Sequence, residues 1–231
     1  MDYTQTSDTI KPIVNISATI EEINQHTEQV LKGENPCPVS NCPKCQERSD
    51  YFIPREAKPR IFYVVVEQVI QVVDAFLTLW KCPECGKCFM GYPPFAMPYK
   101  RYTTATICEL SRQYVENDAM SYRGVINQTP LLSETTPERE LSHTTIHRWI
   151  TTLGRMDMTL ARAQDLIMQA NPLSTISRDM AAVEIACRKY TSEARKSLLL
   201  TCRKMLKTGT RFCQQFGVSI FHHLAPQSVY K

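Results

Sequence analysis

Glycine is scarce in this chain, with 7 among 231 residues. Loops that cradle phosphate need glycine for close backbone approach. Neither GxxxxGK[ST] nor GxGxxG occurs, which excludes the common nucleotide-binding fingerprints. The opening stretch MDYTQTSDTIKPIVN lacks a basic segment followed by an apolar one, so no secretory signal is expected. An uninterrupted apolar run is missing as well. The nearest to one, Ile61 to Trp80, carries Glu67, Gln68, Gln71 and Asp74. A charged group at a bilayer centre costs about 2.5–3.5 kcal/mol, which argues against a membrane span. The expected location is the reducing cytoplasm, where thiols are metal ligands or core residues rather than disulfides.

What the chain has in quantity is cysteine (10) and proline (14), with 43% hydrophobic residues, enough to bury a core. The net charge is +4, unevenly placed. Residues 1–34 hold 2 basic and 6 acidic side chains; the remainder holds 25 basic and 17 acidic. That imbalance leans toward an anionic partner.

The pattern divides the chain into four parts. Residues 1–34 read as an acidic N-terminal arm or a partner-contacting helix, with Ile20, Ile23 and Val30 as a thin apolar stripe. Residues 35–92 are cysteine-rich. Within them Arg60 to Val66 and Leu77 to Trp80 are β-branched and aromatic and read as strands. Val66, Val69, Ile70 and Val73 fall at helical spacing, so a short helix between the strands is an open alternative. Residues 93–154 begin with a proline-rich extended connector, then a helix capped by Thr103 or Thr104 and a short helix from Tyr122 to Asn127. A loop follows over 128–141, then a helix from Ser142 to Gly154 with Ile146, Trp149, Ile150 and Leu153 on one face. Residues 155–231 read as helical and basic. One helix stops near Pro172, a second runs from about Thr175 to Tyr190, and a third starts near Thr191 or Ser192 and ends before Gly209.

Cys42-x-x-Cys45 and Cys82-x-x-Cys85 carry the strongest chemistry. Two tight turns supplying four thiolates suit tetrahedral Zn²⁺. The 36 residues between the pairs exceed the common spacing of roughly 15–20. A strand pair in the gap would return the chain to the first turn and make a zinc ribbon. Cys37 and Cys88 are extra thiols, either of which could replace a ligand. Cys108, Cys187, Cys202 and Cys213 stand alone on apolar helical faces and are expected in the core.

The helix after Ser142 turns His143, Thr144, Thr145, His147 and Arg148 away from its apolar back. Short polar groups near a helix N-terminus reach base edges in a major groove, and arginine reads guanine or phosphate. Lys100 and Arg101, after the connector, suit phosphate. Residues 188–211 add eight basic side chains against the single acid Glu193. Among them Arg195, Lys196, Arg203 and Lys204 are the expected phosphate contacts.

The strings Trp80-Lys81-Cys82-Pro83-Glu84-Cys85-Gly86-Lys87-Cys88-Phe89 and Pro94-Phe95-Ala96-Met97-Pro98-Tyr99-Lys100-Arg101-Tyr102 resemble transposase-associated proteins with an N-terminal zinc ribbon and a helix-turn-helix. Ser121-Tyr122-Arg123 resembles the start of that family's first helix, and Ser142 to Ile150 its recognition helix. The resemblance implies a mainly α protein with a small β zinc ribbon, a helix-turn-helix and a C-terminal helical bundle. Its expected partner is double-stranded DNA, with a transposase or another protein as a further partner through the N-terminal arm. Residues 155–231 carry only Asp157, Asp165, Asp179, Glu184 and Glu193 as carboxylates and no strand to hold a pair. A two-metal transposase site is therefore not expected, and the protein reads as a nucleoid-associated DNA binder rather than an enzyme. The alternatives are a zinc-ribbon adaptor for protein partners or a truncated transposase fragment.

Overall fold

The computed structural model describes residues 16–39, 41, 42, 44–46, 48, 52–66, 69–127, 141–185 and 192–223. About half of these are helical, and the rest is organised around a three-stranded antiparallel sheet, so the fold is mixed rather than mainly α.

Strands β1 (Ile53–Val66) and β2 (Val69–Lys81) form a long antiparallel hairpin, and β3 (Cys88–Met90) adds to the far end of β2. Pairing runs from Ile53↔Lys81 to Val66↔Val69, with an irregularity between Pro54 and Glu56. The helix considered for Val66 to Val73 is not formed; residues 69–73 are strand. The apolar spacing fits both periods, but Val69, Val72 and Val73 suit a pleat, and pairing with β1 satisfies their backbone. The described residues of the apolar run from Ile61 to Trp80 thus fall in two antiparallel strands. No helix among the described residues is long and apolar enough to cross a membrane. β1 is the edge strand, and Pro59 lies on the same alternation as Tyr63, whose N–H faces the connector rather than β2, while Pro54 sits at the irregularity.

Helix α1 (Ile16–Lys32) lies on this hairpin. Ile23 is fully buried with Phe62, Val64, Ala75, Leu77, Phe95 and Ala96, and Ile20 packs at the edge. His26 meets Phe95 edge-on at 5.6 Å, and the Phe76 N–H donates to Thr27 Oγ1 at 3.4 Å. The apolar stripe thus forms a helix, and through Ile20 and Ile23 that helix packs on the chain's own sheet. The first 15 residues of the expected arm lie outside the described residues.

The proline-rich connector folds back instead of extending freely. The Ala96 N–H donates to the Pro93 carbonyl, the Tyr63 N–H to the Arg101 carbonyl at 2.8 Å, and the Thr103 N–H to the Tyr63 carbonyl. Tyr63, Tyr102 and Trp149 stack edge-on in series at 5.1 and 5.0 Å, which joins the hairpin to the helices.

The helices α2 (Thr104–Glu116), α3 (Tyr122–Asn127), α4 (His143–Leu153), α5 (Asp157–Ala170), α6 (Ile176–Ala181), α7 (Glu193–Phe216) and α8 (Ile220–His223) share one apolar core. Thr103 caps α2, its hydroxyl accepting from the Thr106 N–H. The helix expected over Thr175 to Tyr190 ends at Ala181, and residues 186–190 lie outside the described set, as do 128–140 of the expected loop. Helix α7 is longer than its sequence suggests. It passes through Gly209 to Phe216 and closes on Gly217 at φ +70°. Buried Thr208 and Phe212 flank Gly209, and their packing outweighs the roughly 1 kcal/mol that an interior glycine costs.

Candidate metal centre and nucleic-acid interface

Cys42 and Cys45 lie in one turn and Cys82 and Cys85 in another, and the hairpin brings the two together. Both turns read Cys-Pro-x-Cys and close in the same way. The Gln46 N–H donates to the Cys42 carbonyl at 3.0 Å, and the Gly86 N–H to the Cys82 carbonyl at 3.0 Å. The residue after each second cysteine is left-handed, Gln46 at φ +64° and Gly86 at φ +67°. The four sulfurs lie within 4.8 Å of one another. Cys42 Sγ is 3.7 Å from Cys85 Sγ, and Cys45 Sγ is 3.5 Å from Cys82 Sγ. A disulfide needs about 2.05 Å. A tetrahedron of sulfurs around an ion at about 2.3 Å has edges near 3.8 Å, so the spacing suits a metal ion.

The surroundings of Cys42 favour its thiolate. Burial pushes the Cys42 thiol up, but the Cys45 and Lys44 backbone N–H groups and the neighbouring sulfurs bring it down to about 7. Phe52 and Trp80 close an apolar shell around Cys42 and Cys82, with Phe52 edge-on to Phe89 at 5.1 Å. Of the two extra thiols, Cys37 packs against this shell, and burial pushes it up to about 11. Cys88 is exposed at the start of β3. Neither belongs to the group of four.

The isolated cysteines divide. Cys202 is buried, and burial pushes it up to about 12; Cys108 is likewise pushed up to about 12. Cys213 is exposed, contrary to expectation, because the apolar stripe of α7 runs through Leu199, Cys202, Met205, Leu206 and Phe212 and leaves it outside. Cys187 lies outside the described residues.

Helix α4 buries Ile146, Trp149, Ile150 and Leu153 and leaves His143, Thr144, His147 and Arg148 exposed, with Thr145 half-buried. Ser142 caps it by accepting from the Thr144 N–H at 3.3 Å. Two cations flank its last turn. Lys100 Nζ donates to Thr152 Oγ1 at 3.3 Å, and Arg195 Nη1 donates to Thr151 Oγ1 at 3.1 Å. Burial, then the nearby Arg148 guanidinium, lowers the Lys100 pKa. Burial, then Arg195, lowers that of His147. Arg101 is exposed and donates to the Tyr63 hydroxyl.

The basic residues of α7 are more occupied than a solvated stripe would be. Arg195 also donates to the Tyr122 hydroxyl. Lys196 pairs with Glu193, Arg203 donates to the Glu184 carbonyl at 2.6 Å, and Arg211 pairs with Asp179 at 2.6 Å. Lys204 is half-buried on the same helix. The structure thus gathers Lys100, His147, Arg148 and Arg195 around α4 and uses Arg203 and Arg211 to tie α7 to its neighbours. Sequence reasoning missed the hydroxyls of Thr151 and Thr152 as anchors; only the packing of α7 and the connector against α4 reveals them. Comparison with protein-family models, with curated proteins and with solved structures finds no match to this chain.

Proposed function

We propose that this chain is a zinc-binding, sequence-specific DNA-binding protein of mobile-element type, without catalysis of its own. Cys42, Cys45, Cys82 and Cys85 hold zinc in a ribbon formed by the hairpin, and α4 enters the major groove. One observation carries the reading. The exposed face of α4 is polar and uncharged at its start, basic one turn later, and locked from behind by buried Ile146, Trp149 and Ile150. A recognition helix needs all three features. Lys100, bonded to Thr152, stands beside it, and Arg101 and Lys204 are the further phosphate contacts of this reading. Asp179 pairs with Arg211 and so joins α6 to α7. The zinc supplies folding energy and fixes the two turns. The resemblance to transposase-associated zinc-ribbon proteins supplies the mobile-element part.

Binding to duplexes selected from genomic fragments, compared with scrambled duplexes across a salt series, tests the proposal. Alanine at His143, Thr144, Thr145 and Arg148 removes sequence preference, by about 1–3 kcal/mol for a good bidentate pair. Alanine at Lys100 and Arg101 weakens both duplexes alike and lowers the salt slope. Retained preference in the α4 variants refutes the recognition-helix assignment. Absence of salt-dependent DNA binding in the native chain favours the protein-adaptor reading instead.

A further inference from the structure

Arg195 was expected from the sequence to meet phosphate. Its surroundings assign it other work. One guanidinium nitrogen donates to Thr151 on α4, and another to the Tyr122 hydroxyl on α3. The guanidinium carbon lies 5.9 Å from the Tyr122 ring centre. Tyr122 in turn stacks on Tyr114 of α2, ring centres 4.0 Å apart and 5° from parallel, and meets His147 of α4 edge-on at 5.5 Å. The backbone of Arg195 is anchored at the start of α7, where Ser192 accepts from its N–H. One half-buried side chain therefore joins the first turn of α7 to α3 and α4, over a ring seated on α2.

We infer that Arg195 is a positioning residue for the DNA contact proposed above: its planar fork, held between Thr151 and Tyr122, sets the angle between α3 and α4 and so the placement of His143, Thr144 and Thr145. The inference rests on the DNA reading of α4. A guanidinium offers several donors in a rigid plane and stacks on an aromatic ring; an ammonium keeps the charge but cannot make both bonds in that geometry. A phosphate contact needs mainly the charge. Lysine at 195 separates the two roles.

The test measures binding of the full chain, in reducing buffer, to a duplex selected from genomic fragments and to a scrambled duplex. The expected result for Arg195→Lys is about a tenfold loss on the selected duplex, with affinity for the scrambled duplex and the salt slope unchanged. Tyr122→Phe keeps the ring and removes the hydroxyl. It produces a loss of the same kind, and the double variant loses little more than either alone, as expected for residues acting as one unit. A general loss of folding lowers both affinities together, so a falling ratio between the duplexes marks a positioning role. The inference is overturned if Arg195→Lys matches the native chain while Arg195→Gln weakens both duplexes equally and reduces the salt slope by about one, the signature of a phosphate contact. It is also overturned if Arg195→Lys and Tyr122→Phe add independently. A native chain that does not distinguish the two duplexes refutes the DNA reading itself, and this inference with it.

Discussion

At the scale of single residues, the two cysteine turns share one geometry but differ in how comfortably their sequences adopt it. Gly86 takes its left-handed conformation without cost, whereas Gln46 carries a side chain there. Left-handed backbone costs an ordinary residue roughly 1–2 kcal/mol. Gly86→Val is therefore expected to destabilise the metal site by about that much, while Gln46→Gly leaves it as stable or slightly more so. Denaturant unfolding of the metal-loaded protein measures both, and a Gly86→Val chain of native stability refutes the account. The ligands themselves are more sensitive. Elemental analysis is expected to give about one zinc per chain, and serine at Cys42, Cys45, Cys82 or Cys85 to abolish it. Structural zinc contributes roughly 10–16 kcal/mol in small finger peptides, so losing a ligand unfolds the turns. Serine at Cys37 or Cys88 leaves the metal in place, since neither belongs to the group of four.

At the scale of elements, α1 illustrates how burial sets a pH response. His26 of α1 packs against Phe95, its Nε2 buried without a hydrogen-bond partner. Burial lowers its pKa below the ordinary value of about 6.5. The unfolded chain then binds more protons than the folded one as the solution is acidified through that value. The stabilising contribution is complete above about pH 6.5 and is lost as pH falls below it. His147 is shifted in the same direction, by burial first and then by Arg195, and adds to the trend. Amide exchange in α1 is expected to quicken between pH 7 and pH 5 after correction for intrinsic rates. His26→Phe, which keeps the aromatic contact and removes the titration, reduces that change. An unchanged pH response in this variant would exclude His26 as its source.

At the scale of the molecule, the junction of α4 and α7 tests whether the helices behave as one body. Gly154 ends α4 with φ −73°, an ordinary right-handed value, so no turn requires glycine there. The requirement comes from α7. A Cβ on Gly154 would run into the Leu198 carbonyl oxygen and lie 2.6 Å from Leu198 Cγ. Overpacking of this kind costs about 1–3 kcal/mol. Gly154→Ala is expected to lower the stability of the whole helical part, not only of α4, and thermal unfolding with helix-wide amide exchange shows whether it does. Loss confined to α4 would mean that α7 moves away without disturbing the shared core.

Sequence alone determined the local features of this protein. Paired cysteines at two-residue spacing specify turns that aim two sulfurs together, and a serine cap followed by Ile146, Trp149, Ile150 and Leu153 specifies α4 and its buried face. Such features depend on neighbours within a few positions, and there the spacing of residues is already geometry. What the spacing left open was decided by partners distant in the chain. Residues 69–73 became strand because β1 supplied their hydrogen bonds, and α7 continued past Gly209 because Thr208 and Phe212 found a core. Gly154, legible as a helix stop, proved to be a point of close approach to Leu198. Arg195, legible only as positive charge, became a link between three helices because Tyr122 and Thr151 were brought to it. Charge and apolar period are properties of the chain; the atom each group meets is a property of the packed molecule.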